Sequence, residues 1–212
     1  MDLTSTAGSC RPVHRARARW LALLAFVSVA TLATAAAGVA PRPRGTVRVA
    51  GRPAANVVVW LEAPDARPTE PGRVVLDQRN LRFSPKVLAV RVGTEVLFPN
   101  NDRVFHNVFS FHHGKVFDLG LYPVGDSKAV RFDKPGLSRI FCNIHPNMAA
   151  YVVAVDSPYF AVTDETGAFE LPPVPAGRYT YRAWRSSSPE QSGVWTIGSA
   201  SDSAELSIEW QK

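Results

Sequence analysis

From residue 44 onward, short apolar or alternating runs bounded by Gly, Pro, Asn and Asp recur roughly every eight to twelve residues. TVRVAG, NVVVWLE, KVLAVRV, TEVLFP, VFHNVFSF, SRIFCNI, AAYVVAV, RYTYRAW and AELSIEW are examples. Their period is two rather than 3.6, and they are rich in the β-branched and aromatic residues that suit a pleated surface. The fold class predicted is all-β. About fifteen such runs are more than one ordinary sandwich holds, so two β-sandwiches are expected.

Turn chemistry marks the seams between runs. RVGTE contains a hairpin glycine, DETGAF places Gly167 after Asp164, and PPVPAGRY is a proline-led turn closed by Gly177. The polar stretch DARPTEPG, with Pro68 and Pro71, reads as a linker. The N-terminus has another character. A basic stretch, RPVHRARAR, precedes the apolar WLALLAFVSVATLA and the small residues of TAAAG, the order of a secretory signal peptide. Cleavage after Ala37, with Ala35 three places from the cut, fits the small-x-small rule. An uncleaved anchor is the alternative, but the apolar run is shorter than the roughly 20 residues a span needs. Export to the periplasm and no membrane span after signal cleavage are therefore expected. Cys10 precedes the apolar core, so it is not a lipoprotein cysteine.

Charge changes the picture little. The chain has 24 Lys+Arg against 18 Asp+Glu, a formal +6, and removing residues 1–37 leaves 20 against 17, or +3. No Lys/Arg run remains, which argues against nucleic-acid binding. Cysteine usage is more informative. Beyond the leader only Cys142 is left, and a lone cysteine cannot form an internal disulfide in an oxidising compartment. It is inert, paired with another molecule, or a ligand.

Cys142, His145 and Met148 stand at intervals of three in IFCNIHPNMAAYVVAV. Pro146 argues against a helix there, and within one continuous strand Cys142 and His145 would point to opposite faces. A loop can bring them together, with Cys142 ending the strand SRIFC and Met148 opening the next. His106, at the entry of VFHNVFSF, offers a fourth group. Two imidazoles, one thiolate and a weak thioether form the set that suits copper in both oxidation states. Zinc would also bind such residues, although its closed structural sites usually take four strong ligands. His112 and His113 are adjacent, point apart on a strand and lack accompanying carboxylates, so they are weak candidates.

FPNNDRVFHNVFS followed by GLSRIFCNIHPNMAAYVVAV resembles the blue-copper, or cupredoxin, signature over residues 73–156. The short ligand loop is more similar to that of amicyanin than to that of plastocyanin. The resemblance implies one type 1 copper ion held by His106, Cys142, His145 and Met148. It also implies that Asn107 ties the two ligand loops together by hydrogen bonds. Pro99, Phe105, Pro123 and Pro146 are expected to form an apolar patch around the His145 edge.

The flanks, RGTVRVAGRPAANVVVWLEAP and YFAVTDETGAFELPPVPAGRYTYRAWR, resemble two halves of a carboxypeptidase-regulatory-like, transthyretin-type sandwich. The expected organisation is a signal peptide over 1–37, the first sandwich strands over 42–64, an inserted cupredoxin over 73–156, and the rest of the sandwich over 157–212. A cupredoxin with ragged β extensions is the alternative. The function implied is one-electron transfer by an exported copper protein between a redox donor and an acceptor, without enzymatic activity. A periplasmic copper-binding or buffering protein, or a partner-docking module, is the competing reading. No catalytic triad, nucleotide loop or additional His cluster of the kind an oxidase needs is visible.

Overall fold

The computed structural model describes residues 40–63, 72–111, 114–198 and 205–211. The expected signal peptide, Cys10, the Pro68 and Pro71 linker, and His112 and His113 lie outside the described residues. Within them there is no helix, in keeping with the all-β class. The first strands are β1 (Arg44–Val49), β2 (Arg52–Pro53), β3 (Val58–Leu61), β4 (Arg73–Val75), β5 (Asp77–Arg79) and β6 (Arg82–Ser84). Next come β7 (Val87–Arg91), β8 (Glu95–Pro99), β9 (His106–Ser110), β10 (Phe117–Tyr122), β11 (Ser127–Arg131) and β12 (Gly136–Phe141). The last are β13 (Ala149–Val155), β14 (Phe160–Val162), β15 (Ala168–Glu170), β16 (Gly177–Trp184), β17 (Gln191–Ile197) and β18 (Leu206–Trp210).

Apolar clusters alternate with sheets. The five-stranded sheet β10-β9-β12-β13-β7 faces the three-stranded sheet β11-β8-β4 and the β5-β6 hairpin. Between them lies a core that includes Phe98, Val108, Ile140 and Val152, and also Cys142 and Met148. A second core, with Leu61, Phe169, Ile197 and Ile208, fills the space between β15-β1-β18 and β14-β3-β16-β17. β1 pairs antiparallel with β15 and parallel with β18, so the beginning and the end of the described chain share one sheet. The turn at Gly167 locks against β1: φ there is +76° and an added Cβ would sit 2.4 Å from the Val47 carbonyl oxygen. Only glycine fits that approach.

Two apolar runs look over-long for half-buried strands, and the sheet order explains both. In β3, Val59 and Leu61 enter the second core while Val58 points the other way. In β13, Ala150, Val152 and Ala154 enter the first core while Val153 and Val155 point away from it. The outward residues of both strands meet in a third cluster with Val87 and Trp184. A strand buried on both faces reads as a continuous hydrophobic run. Tyr151 packs edge-on against Trp184 there, with ring centroids 5.2 Å apart. Replacing Trp184 by Ala should lower the unfolding free energy by about 3 kcal/mol, the low end for an aromatic truncation because one edge of the ring borders an open cleft. Denaturant titration checks this; a loss under about 1 kcal/mol would show that the third cluster does little to hold the layers together.

Candidate metal centre

Strand alternation sets where the site can form. On β12, Ser138 and Ile140 face the first core with Arg139 turned out, and Cys142, one step beyond the strand, continues the inward series. On β9, His106, Val108 and Ser110 likewise point inward. Both inward series end at the same edge of the sheet pair. The loop after β12 folds back tightly: Met148 N donates to His145 O at 2.9 Å and Cys142 N to Met148 O at 3.3 Å. That closure turns His145 inward toward Cys142, across a register that a continuous strand would forbid.

The result is a compact triangle of donor atoms. His106 Nδ1 lies 3.0 Å from His145 Nδ1, and Cys142 Sγ lies 3.9 Å from His106 Nδ1 and 3.6 Å from His145 Nδ1. Three atoms at those separations share a centre about 2.1 Å from each, which is metal-bond distance for nitrogen and close to it for sulfur. Two histidines and a free buried cysteine thus fit one metal ion without rearrangement. Met148 is buried at the end of the same loop. His106 and Cys142 are also buried, whereas His145 is half-buried and flanked by exposed Asn143, Ile144, Pro146 and Asn147.

The layer behind these groups orients them. Asn107, on the opposite face of β9 from His106, donates through Nδ2 to Asp118 Oδ1 at 2.8 Å and accepts from Asn143 N at 3.4 Å. The β9 strand and the ligand loop are therefore joined by one amide side chain. Beneath the site, Tyr122 donates to Phe98 O at 2.9 Å and accepts from Gln78 Nε2 at 2.5 Å. Burial raises the Tyr122 phenol to about 12, with the nearby Cys142 adding to the effect and the Gln78 bond opposing it.

Asp102 is the functional partner that the sequence reading missed. Its Oδ2 lies 3.0 Å from His106 Nε2 and also accepts from Leu81 N at 2.7 Å. By engaging Nε2, it leaves Nδ1 to face the triangle and makes that nitrogen a better donor. Asn100 holds the loop around it: its Oδ1 accepts from Asp102 N, and its Nδ2 donates to the Val104 and Tyr122 carbonyls. The density of Asn and Asp in NNDRVFH, just before an inward histidine, was the available signal.

The comparisons with known proteins are local. No family model matches the chain, and no curated protein matches it. Among solved structures it is similar to a purple cupredoxin from Nitrosopumilus maritimus, at 28% identity over 40% of this chain and 99% of that one, with a TM-score of 0.35. It is also similar to amicyanin from Paracoccus versutus, at 21% identity over 48% of this chain and all of that one, with a TM-score of 0.36. A copper-containing nitrite reductase from Thermus scotoductus matches at 27% identity over 45% of this chain but only 25% of its own, with a TM-score of 0.38. Scores this low lend no weight to the centre, whose support is the donor geometry itself.

Burial raises the Asp102 carboxyl, but hydrogen bonds from Leu81 N, His106 and Arg103 N outweigh it and hold the group down at about 2. A carboxylate whose folded value is depressed stabilises the fold above its unfolded value near 3.9, and that contribution is lost as pH falls toward 2. Metal-free protein should therefore lose stability between about pH 4 and pH 2, while Asp102→Asn is less stable at pH 7 and has a flatter acid limb. Thermal unfolding of both proteins across pH checks this. Parallel acid limbs would mean that Asp102 is not held in its charged form by these bonds.

Proposed function

We propose that this protein is an exported type 1 copper protein that carries single electrons between a redox donor and an acceptor. The supporting observation is the triangle of His106 Nδ1, His145 Nδ1 and Cys142 Sγ, whose common centre lies at bonding distance from the two nitrogens and close to it from the sulfur. In this reading His106, Cys142 and His145 would hold copper, with the Met148 thioether as a weaker further donor. Copper, when bound, supplies a one-electron couple, and the two-imidazole, one-thiolate set suits both of its oxidation states.

The chain's own residues do the rest. Asp102 and Asn107 hold His106 and the ligand loop so that little has to move when the charge changes. Phe98, Ile140 and Met148 keep water from the inner side of the site. His145 is the more exposed of the two imidazoles, and the loops around it present Phe105, Val104, Val124 and Ile144 at 40–51% exposure. Pro123 and Pro146 are also exposed, while Pro99 is half-buried as the last residue of β8. This apolar rim suits the small, short-lived contacts of electron-transfer partners, with His145 as the exit for the electron. The leader-like sequence over 1–37 supports export to the periplasm.

Copper-loaded protein should show an intense visible thiolate-to-Cu(II) band that Cys142→Ala abolishes. Met148→Leu should retain the band and raise the reduction potential, because a weak thioether donor would stabilise Cu(II) more than none does. A colourless copper-treated wild type overturns the reading, and an unchanged potential removes Met148 from the site.

We also infer that residues 73–156 form a domain inserted into a sandwich built from 42–64 and 157–212. Support comes from β1 and β3, which pair with strands beyond residue 159 and share an apolar cluster with them. If a protease site is engineered between residues 63 and 72 and cut, the N-terminal piece should stay bound under native conditions and co-elute in gel filtration. Free dissociation would favour ragged extensions on a single domain.

A further inference from the structure

The β5-β6 hairpin places like charges together beside the ligand loop. Gln78 and Phe83 point inward, so Asp77, Arg79, Arg82 and Ser84 project from the other face, with Arg79 directly opposite Arg82. Directly opposed like charges on a strand pair are destabilising. Asp77 offsets only part of this, since one of its oxygens reaches Arg79 at 3.5 Å while the other accepts from Gln78 N and Asn101 Nδ2. Among the described residues Arg82 has no carboxylate partner. A third cation, Lys86, is pinned by a 2.7 Å bond to the Ala149 carbonyl, on the strand that leaves the ligand loop.

These cations line an open cleft of about 1000 Å³ whose wall also includes Asn147 and Ala149, on either side of Met148. The hairpin turn, with Asn80 and Leu81 at φ of 52° and 56°, is tied to the centre because Leu81 N and His106 Nε2 share Asp102. The Leu81 side chain is 48% exposed at the tip. We propose that this cleft is the docking surface for an acidic protein partner, whose carboxylates lie along Arg79, Arg82 and Lys86 while its apolar part meets the rim around His145. That the partner is a redox protein rests on the electron-carrier reading; its acidic character rests on the cleft alone. An extended acidic surface fits better than a small anion, because all three cations are exposed and the cleft is open. The steering would come from the local balance at the cleft, three cations against the one carboxylate of Asp77, rather than from the formal +6 of the whole chain.

The test uses metal-free protein and a short poly-L-glutamate chain as the acidic probe, with inorganic phosphate and poly-L-lysine as comparisons, followed by amide chemical shifts. Poly-L-glutamate should perturb Arg79, Leu81, Arg82, Lys86 and Asn147. Its affinity should fall ~10-fold or more between low and physiological ionic strength. Arg79→Glu with Arg82→Glu should weaken binding by a further ~10-fold, whereas Arg48→Glu with Arg178→Glu, exposed positions on β1 and β16, should change it less than ~2-fold. If the charge-reversed hairpin loses its native spectrum, Arg79→Gln with Arg82→Gln decides instead. Equal weakening by both pairs, perturbation centred elsewhere, or phosphate acting on the same amides as strongly as poly-L-glutamate would each overturn the proposal. Because no copper is present, failure here leaves the visible-band experiment unaffected, and a missing band leaves this result standing.

Discussion

A buried imidazole can turn only one of its two nitrogens toward a ligand, and whatever holds the other nitrogen decides which. In this protein that decision is made by Asp102, 3.0 Å from His106 Nε2. The carboxylate is itself set in place by Leu81 N, and the loop that bears it by the Asn100 side chain. Asn100 N and Gly125 N carry the same framework to the loop between β10 and β11. Three loops are thus referred to one ring orientation. Loosening any of these bonds would blur the triangle of donor atoms before it altered the core beneath.

Much of this organisation is legible in the chain because it follows from period two. The inward series Ser138, Ile140, Cys142 and the inward series His106, Val108, Ser110 are consequences of alternation, and the spacing of Cys142, His145 and Met148 requires a reversal between two strands. Asp102 left only a local clue in the Asn and Asp density of NNDRVFH, since a side chain that acts four residues along an irregular loop leaves no periodic trace. Leu81 is a similar case: nothing in an apolar side chain marks a left-handed backbone, and only the pairing of Arg79 with Arg82 reveals the tight turn between them. The long apolar runs of β3 and β13 were readable as strands, but their two-sided burial becomes clear only when the order of the sheets is known.

The two cationic and carboxylate layers around the centre serve opposite ends electrically. Asp102 is withdrawn from solvent and spends its charge on His106, so it does little to neutralise the exposed arginines beyond it. The hairpin can therefore remain positive toward an approaching molecule while the ligand pocket keeps a negative group within hydrogen-bonding distance of its imidazole.

Strand β13 starts beside the ligand loop at Ala149 and ends, at Val155, among the side chains that meet the second group of sheets. Seven residues of extended chain separate these ends by roughly 20 Å. The contact with the second group runs along the outward side of β13 from Tyr151 to Val155, and none of the donor side chains His106, Cys142 or His145 takes part in it. Substitutions in that outer contact can change how the two groups of sheets meet without touching the donor triangle, and substitutions in the ligand loop can do the reverse. For natural variation this means that the packing of the layers and the placing of the donor atoms lie on one strand yet can change separately.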